Sequence, residues 1–212
     1  MLKVLVIDTC GDVGSVALGE GEAIVATEVL PAREASSALL PAVGRLLEAQ
    51  GWVLSELDGV GVVSGPGSFT GVRVGLAAAK GLCEALGLAL VGVSRLEVLA
   101  EAGELRDGFA VLDAGRGELF LRVAERELLC GLKELREMVG DSRVVIAEEK
   151  LVEVLADLRP EVVLLRAEQA LPAVLRALKA GPVDAALIDA NYVRGEREIY
   201  GKSRVAVGGE KA

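Results

Sequence analysis

The apolar and polar positions of this chain alternate in short blocks. Leu2 to Ile7 is an apolar run of strand length, followed by the turn Asp8-Thr9-Cys10-Gly11-Asp12. Val13 to Leu18 and Ala23 to Leu30 predict two more strands around Gly19-Glu20-Gly21, a hairpin turn. A helix is predicted from Ser36 and Ser37, as caps, to about Gln50, ended by Gly51. Its apolar residues Leu39, Leu40, Val43, Leu46 and Leu47 keep the 3.6-residue period of one face. Pro41 falls near its first turn, where it removes one hydrogen bond. Gly59 to Ser64 is a buried strand, Phe69 to Leu86 an almost wholly apolar helix stopped by Gly87, and Leu88 to Val93 a fifth strand. Ser94 caps a short helix to about Ala102.

The order β-β-β-α-β-α-β over the first hundred residues is the ribonuclease H-like arrangement, a mixed five-stranded sheet with helices on its faces. The alternation restarts after Gly103. Phe109 to Leu112 and Glu118 to Val123 predict strands around Asp113-Ala114-Gly115-Arg116-Gly117, and Arg126 to Cys130 a third. The expected organisation is therefore two lobes related by duplication, 1–103 and a smaller 104–212, without a visible sequence repeat. The last dozen residues, rich in Gly and charge, are expected to be mobile.

Composition narrows the chemistry. Of 212 residues, 52% are hydrophobic and only 3% aromatic, so the core is built from Val, Leu and Ala, which suits buried parallel strands. The net charge is −9 with no basic run, which argues against a broad RNA footprint and leaves RNA to a partner. Histidine is absent, which excludes Ser-His-Asp and Cys-His mechanisms and His-ligated metal, including a zinc peptidase. Carboxylate-bound Mg²⁺ stays open, with Asp8 and Asp12 flanking the first turn; Asp8 equally suits backbone N–H groups of that turn. Three scattered cysteines, Cys10, Cys83 and Cys130, without a leader-like or membrane-spanning segment, point to reduced thiols in the cytoplasm.

The most informative stretch is Gly65-Pro66-Gly67-Ser68-Phe69-Thr70-Gly71-Val72-Arg73. It is no Walker A motif, and its G-x-G-x-x-x-G spacing is one residue too long for a dinucleotide fingerprint. Two roles fit. The glycines allow tight strand-to-helix packing, or the helix N-terminus takes a phosphate through Gly65, Gly67, Ser68, Thr70 and Arg73. Ser68 and Thr70 suit helix caps better than nucleophiles, since no base lies near in sequence. In the helix itself Gly71, Gly75 and Ala79 form a ridge without bulk beside the stripe Val72, Leu76 and Cys83. A helix apolar nearly all round must be covered on both sides, by its own sheet and by another helix of this chain or of a partner. Arg73 and Lys80 share a face and suit acids on a partner, or a solvated rim.

Asp8-Thr9, Leu40-Pro41, the long glycine loop, Gly92-Val93-Ser94, Asp113-Ala114-Gly115-Arg116-Gly117-Glu118 and Tyr192-Val193-Arg194 together resemble the TsaB family of bacterial tRNA threonylcarbamoyladenosine biosynthesis proteins. The match is dense over residues 1–100 and thinner beyond. It implies two ribonuclease H-like lobes of the sugar kinase, heat-shock protein 70 and actin type. It implies a non-catalytic partner that binds and activates the catalytic paralogue TsaD, with the ATPase TsaE, and that reaches tRNA only through the complex. A homodimer through the same surface, and ATP or ADP with Mg²⁺ at the partner complex, belong to the same expectation; this chain itself needs no cofactor and holds no metal. The partner-binding residues expected are Leu39, Val43, Leu46 and Leu47 of the first helix and Val72, Gly75, Leu76, Ala79, Lys80 and Cys83 of the second, so that Leu76→Asp or Val72→Asp breaks the complex. The competing function is a free-standing small-molecule kinase of the same fold, which needs a working phosphate site and turns over ATP alone.

Overall fold

A computed structural model describes residues 1–181, 185–191 and 193. Tyr192 and Arg194 of the C-terminal signature, and the tail expected to be mobile, lie outside the described residues.

Two five-stranded mixed sheets of the same topology account for the architecture. In the first, β1 (Lys3–Asp8), β2 (Ser15–Glu20) and β3 (Ala23–Val29) form an antiparallel meander. The strands β4 (Gly59–Val63) and β5 (Ala89–Val93) then join β1 in parallel, giving the order β3-β2-β1-β4-β5. The second repeats this plan with β6 (Phe109–Gly115), β7 (Glu118–Val123) and β8 (Arg126–Gly131) as the meander. There β9 (Val144–Ile146) and β10 (Glu161–Val162) are the parallel additions. The second sheet thus repeats the strand order of the first.

Among the described residues six α-helices complete the fold: α1 (Ala35–Gln50), α2 (Phe69–Leu86), α3 (Arg95–Ala102), α4 (Leu132–Val139), α5 (Lys150–Val154) and α6 (Leu171–Ala180). None of the described helices is long and apolar enough to cross a membrane. The first helix starts one residue before the expected serine caps. Its N-cap is Glu34, which makes no side-chain capping bond, and Ser37 Oγ donates to the Glu34 carbonyl instead. The second helix is capped as its sequence suggests, with Ser68 Oγ accepting from Gly71 N at 3.3 Å.

Period-two alternation sorts the first sheet into two faces. One, including Ile7 and Val62, lies under α2; on the other, Val4, Gly19, Gly59 and Gly61 meet the segment 167–180. A Cβ at Gly61 would overlap Val174, and one at Gly59 would come within 2.9 Å of Leu178. These strand glycines bring the backbone of α6 close to the sheet. Leu171, Ala173, Val174 and Leu175 are accordingly buried in the first core. Conversely, Leu96 and Leu99 of α3 pack with Ala110, Leu112, Phe120 and Val145 of the second sheet. A division at residue 103 is therefore a division of sequence, not of space. The last helix of each half covers the sheet of the other, because each sheet needs both apolar faces covered.

Candidate functional site

Two features of the described residues are built well enough to act: the outward surface of α1 and α2, and the cleft between the sheets.

The α1–α2 pair lies on the first sheet with its hydrophobic stripes turned inward. Leu39, Val43, Leu46, Leu47, Val72, Leu76, Ala79 and Cys83 are all buried in this chain's own core, and Gly75 is buried beneath α2. This corrects the assignment of these nine residues to a partner surface. The stripe that satisfies the 3.6-residue period is the one the sheet consumes. Leu76→Asp would put a carboxylate into that core, and so would test folding rather than association. Of the expected contact residues only Lys80 is half exposed.

The small-residue ridge has the same explanation. A Cβ at Gly71 would overlap the Thr9 carbonyl, one at Gly75 would overlap Thr9 Oγ1, and one at Gly67 would overlap the Cys10 carbonyl. Thr9 Oγ1 donates to Gly71 O at 2.6 Å, and Ser68 N to Cys10 O at 2.8 Å. Glycine is required here because the first turn of α2 is pressed onto the backbone that leaves β1. Gly65 adopts a left-handed φ of 105° to make the entry. Thr70 and Arg73 are exposed, and the Arg73 guanidinium stacks on the Phe69 ring at 3.4 Å.

What faces outward is a different set. Leu40 is 54% exposed, and Pro41, Gly44, Ala77 and Gly81 are exposed beside it on the two helices, with Val74 and Ala78 half exposed. A Cβ at Gly44 or Gly81 would meet nothing within 4 Å. Glycine in a helix interior costs about 1 kcal/mol relative to Ala. Two such glycines on the face opposite the apolar stripe were the available sequence signal of a surface of small residues. Arg45, ion-paired with Glu28, stands at the rim.

The cleft is lined by Cys10, Gly11 and Asp12 from the turn after β1, by Gly67 and Ser68, by Arg95, by Asp113 to Gly115, and by Glu148 and Lys150; its volume is about 200 Å³. Asp8 is buried at the end of β1 and accepts from Cys10 N at 2.8 Å, as the turn reading of that residue expected. Arg95, only 6% exposed, donates from Nη1 to Glu148 Oε1 at 2.9 Å. Burial works against its charge, but Asp8 and Glu148 outweigh that and hold its pKa above the ordinary value. Lys150 Nζ lies 2.5 Å from Asp113 Oδ2. No group of three or more His, Cys, Asp or Glu suited to a metal occurs among the described residues.

Against known proteins, a family model described as "TsaD: tRNA N6-adenosine threonylcarbamoyltransferase" matches residues 29–163. The Escherichia coli K12 "tRNA threonylcarbamoyladenosine biosynthesis protein TsaB" is 34% identical over 130 residues, 59% of this chain and 56% of that one. Its Bacillus subtilis namesake is 32% identical over 150 residues, 69% of this chain and 64% of that one. The chain belongs to the TsaB family. It spans less than two thirds of the length of these two curated relatives. The solved "YeaZ from Pseudomonas aeruginosa" superposes with a TM-score of 0.76 at 26% identity, covering 91% of this chain and 100% of that one.

For a TsaB-family chain the placement of the shared motifs is informative. Leu40-Pro41 lies on the outward surface, while Asp8-Thr9 and the glycine loop meet where α2 is pressed onto β1. Asp113 to Glu118 forms the hairpin turn that faces them across the cleft, with Arg116 and Gly117 both at positive φ. Ser94 Oγ accepts from Leu96 N and Glu97 N as the cap of α3. Sequence reasoning missed Arg95 and Glu148. A cation in the first turn of a helix opposes the helix dipole, and that was the available signal.

Proposed function

We propose that this chain takes part in forming threonylcarbamoyladenosine on tRNA as a non-catalytic protein that binds and activates a TsaD-type transferase. The observation that carries this is the outward α1–α2 surface. It is built of the exposed residues Leu40, Pro41, Gly44, Ala77 and Gly81, and the two glycines have nothing else of the described chain within 4 Å of an added Cβ. Helices with small outer residues pack backbone to backbone, so a partner helix pair seated there is held in one arrangement. The family membership supplies the partner's class, since the matching family model is that of the transferase itself.

In this reading the hydrophobic stripes support the surface and do not touch the partner. The phosphate role weighed for Gly65, Gly67, Ser68, Thr70 and Arg73 is not needed, because the glycines serve close packing. TsaE, nucleotide and Mg²⁺ join at the complex, and tRNA is held by the partner, in keeping with a net charge of −9. The three buried cysteines, none of them in a disulfide, suit a cytoplasmic site of action. A free-standing kinase is disfavoured: four carboxylates, Asp8, Asp12, Asp113 and Glu148, surround two cations in the cleft, and a polyphosphate adds further negative charge.

The test is light scattering on a size-exclusion column, with this chain alone and then mixed with the TsaD of its own organism. A one-to-one complex is expected, lost on Gly81→Arg and on Leu40→Arg, both of which change exposed positions and leave the fold intact by circular dichroism. Normal complex formation by both variants would remove the surface assignment. ATP turnover by this chain alone would restore the kinase.

A further inference from the structure

The cleft contains a charged side chain that the partner role does not use. Arg95 stands at the first position of α3, where the helix dipole disfavours it, and is nonetheless buried. Its backbone N donates to Gly65 O at 2.7 Å, which anchors it beside the glycine loop. Its guanidinium reaches Glu148, just beyond β9 of the second sheet, and feels Asp8 at the end of β1 of the first. The guanidinium also lies 3.0 Å from where a Cβ of Gly11 would be, so the turn after β1 is shaped around it. Glu148 is held in turn, its Oε2 accepting from Asp113 N at 3.4 Å. A second polar node crosses the same seam. Glu127, at the start of β8, accepts from Arg122 at 3.1 Å, from Asn191 Nδ2 at 2.7 Å and from Ser94 Oγ. Asn191 N donates to Ser64 O at the end of β4.

We propose that Arg95 is an ionic brace that fixes the two sheets relative to each other. A two-lobed fold opens and closes when the contents of its cleft change. This cleft is lined by two ion pairs, Arg95–Glu148 and Lys150–Asp113. The guanidinium is buried against the turn after β1, at Gly11, while its charge is paired with Glu148 beyond β9, so parting the sheets takes it from one or the other. The α1–α2 surface is thereby presented on a body of constant shape.

The experiment measures the distance between spin labels at Glu22→Cys, at the β2–β3 turn, and Lys133→Cys, on α4; both positions are exposed, and the three native thiols are buried. The wild-type background should give one narrow distribution, unchanged by Mg-ATP. Arg95→Met should broaden it about twofold, Glu148→Gln should broaden it in the same sense, and Arg136→Met, which breaks a surface pair within the second lobe, should leave it alone. A narrow distribution in Arg95→Met, even with a lowered melting temperature, would reduce Arg95 to an ordinary buried pair. A wild-type distribution that shifts with Mg-ATP would equally overturn the brace. If Arg95→Met does not fold, Glu148→Gln, which keeps the side-chain shape, decides by the same measurement.

Discussion

Alanine substitution at two glycines of one helix should change stability in opposite directions. At Gly71 a Cβ overlaps the Thr9 carbonyl, a backbone atom that moves only if α2 lifts from the end of β1. Over-packing of this kind costs about 1–3 kcal/mol. The lift also stretches the 2.6 Å bond from Thr9 Oγ1 to Gly71 O, with a further loss of about 0.5–1.5 kcal/mol. The helical preference of Ala over Gly returns about 0.5–1 kcal/mol. Gly71→Ala should therefore be destabilised by about 0.5–4 kcal/mol. At Gly81, almost three turns on, nothing lies within 4 Å of the added methyl, so only the favourable term applies and the variant should gain about 0.5–1 kcal/mol. Urea unfolding followed by far-ultraviolet circular dichroism at 25 °C, with midpoints compared at equal slope, measures both. The close approach of α2 to β1 is refuted if Gly71→Ala is as stable as wild type. The openness of the outer surface is refuted if Gly81→Ala is the less stable of the two.

Two further outcomes follow from the titrating groups. Burial pushes the Cys83 thiol up to about 11 and the Cys10 thiol well above its ordinary range, so at pH 8 about one Cys83 in a thousand is thiolate. Native protein should resist iodoacetamide at both positions by peptide mass spectrometry, and rapid labelling of Cys10 before unfolding would contradict its burial against the Val63 carbonyl. Burial raises the Asp113 carboxyl, but the Lys150 ammonium and the Gly115 N–H together hold it below the ordinary carboxylate value. A lowered folded-state pKa stabilises the protein above the unfolded value of about 3.9 and loses that contribution as pH falls through the folded value. The urea midpoint of Asp113→Asn should therefore trail wild type by a constant amount from pH 8 to about 5, and the gap should close in acid; a gap that persists at pH 2 would assign the effect to something other than charge.

The local periods of this sequence determined its elements and its fold class. Runs such as Leu2 to Ile7 and the glycine stops at 51 and 87 carry their meaning within a few residues, because strand alternation, helical period and capping are local. The repeated meander-then-parallel order was likewise readable without contacts. Which face of α1 and α2 looks outward was decided only in three dimensions. Period alone cannot tell a stripe that packs on its own sheet from one offered to a partner, and the sheet, being the nearer apolar surface, takes Leu39, Val43, Val72 and Leu76. The exchange of α3 and α6 between the sheets escaped sequence reasoning for a related reason. Residues 61 and 174 are far apart along the chain, and only the closed fold sets the glycine of one against the valine of the other. The pairing of Arg95 with Glu148 was equally out of reach, since a buried charge declares its partner only when the segments that carry them are brought together.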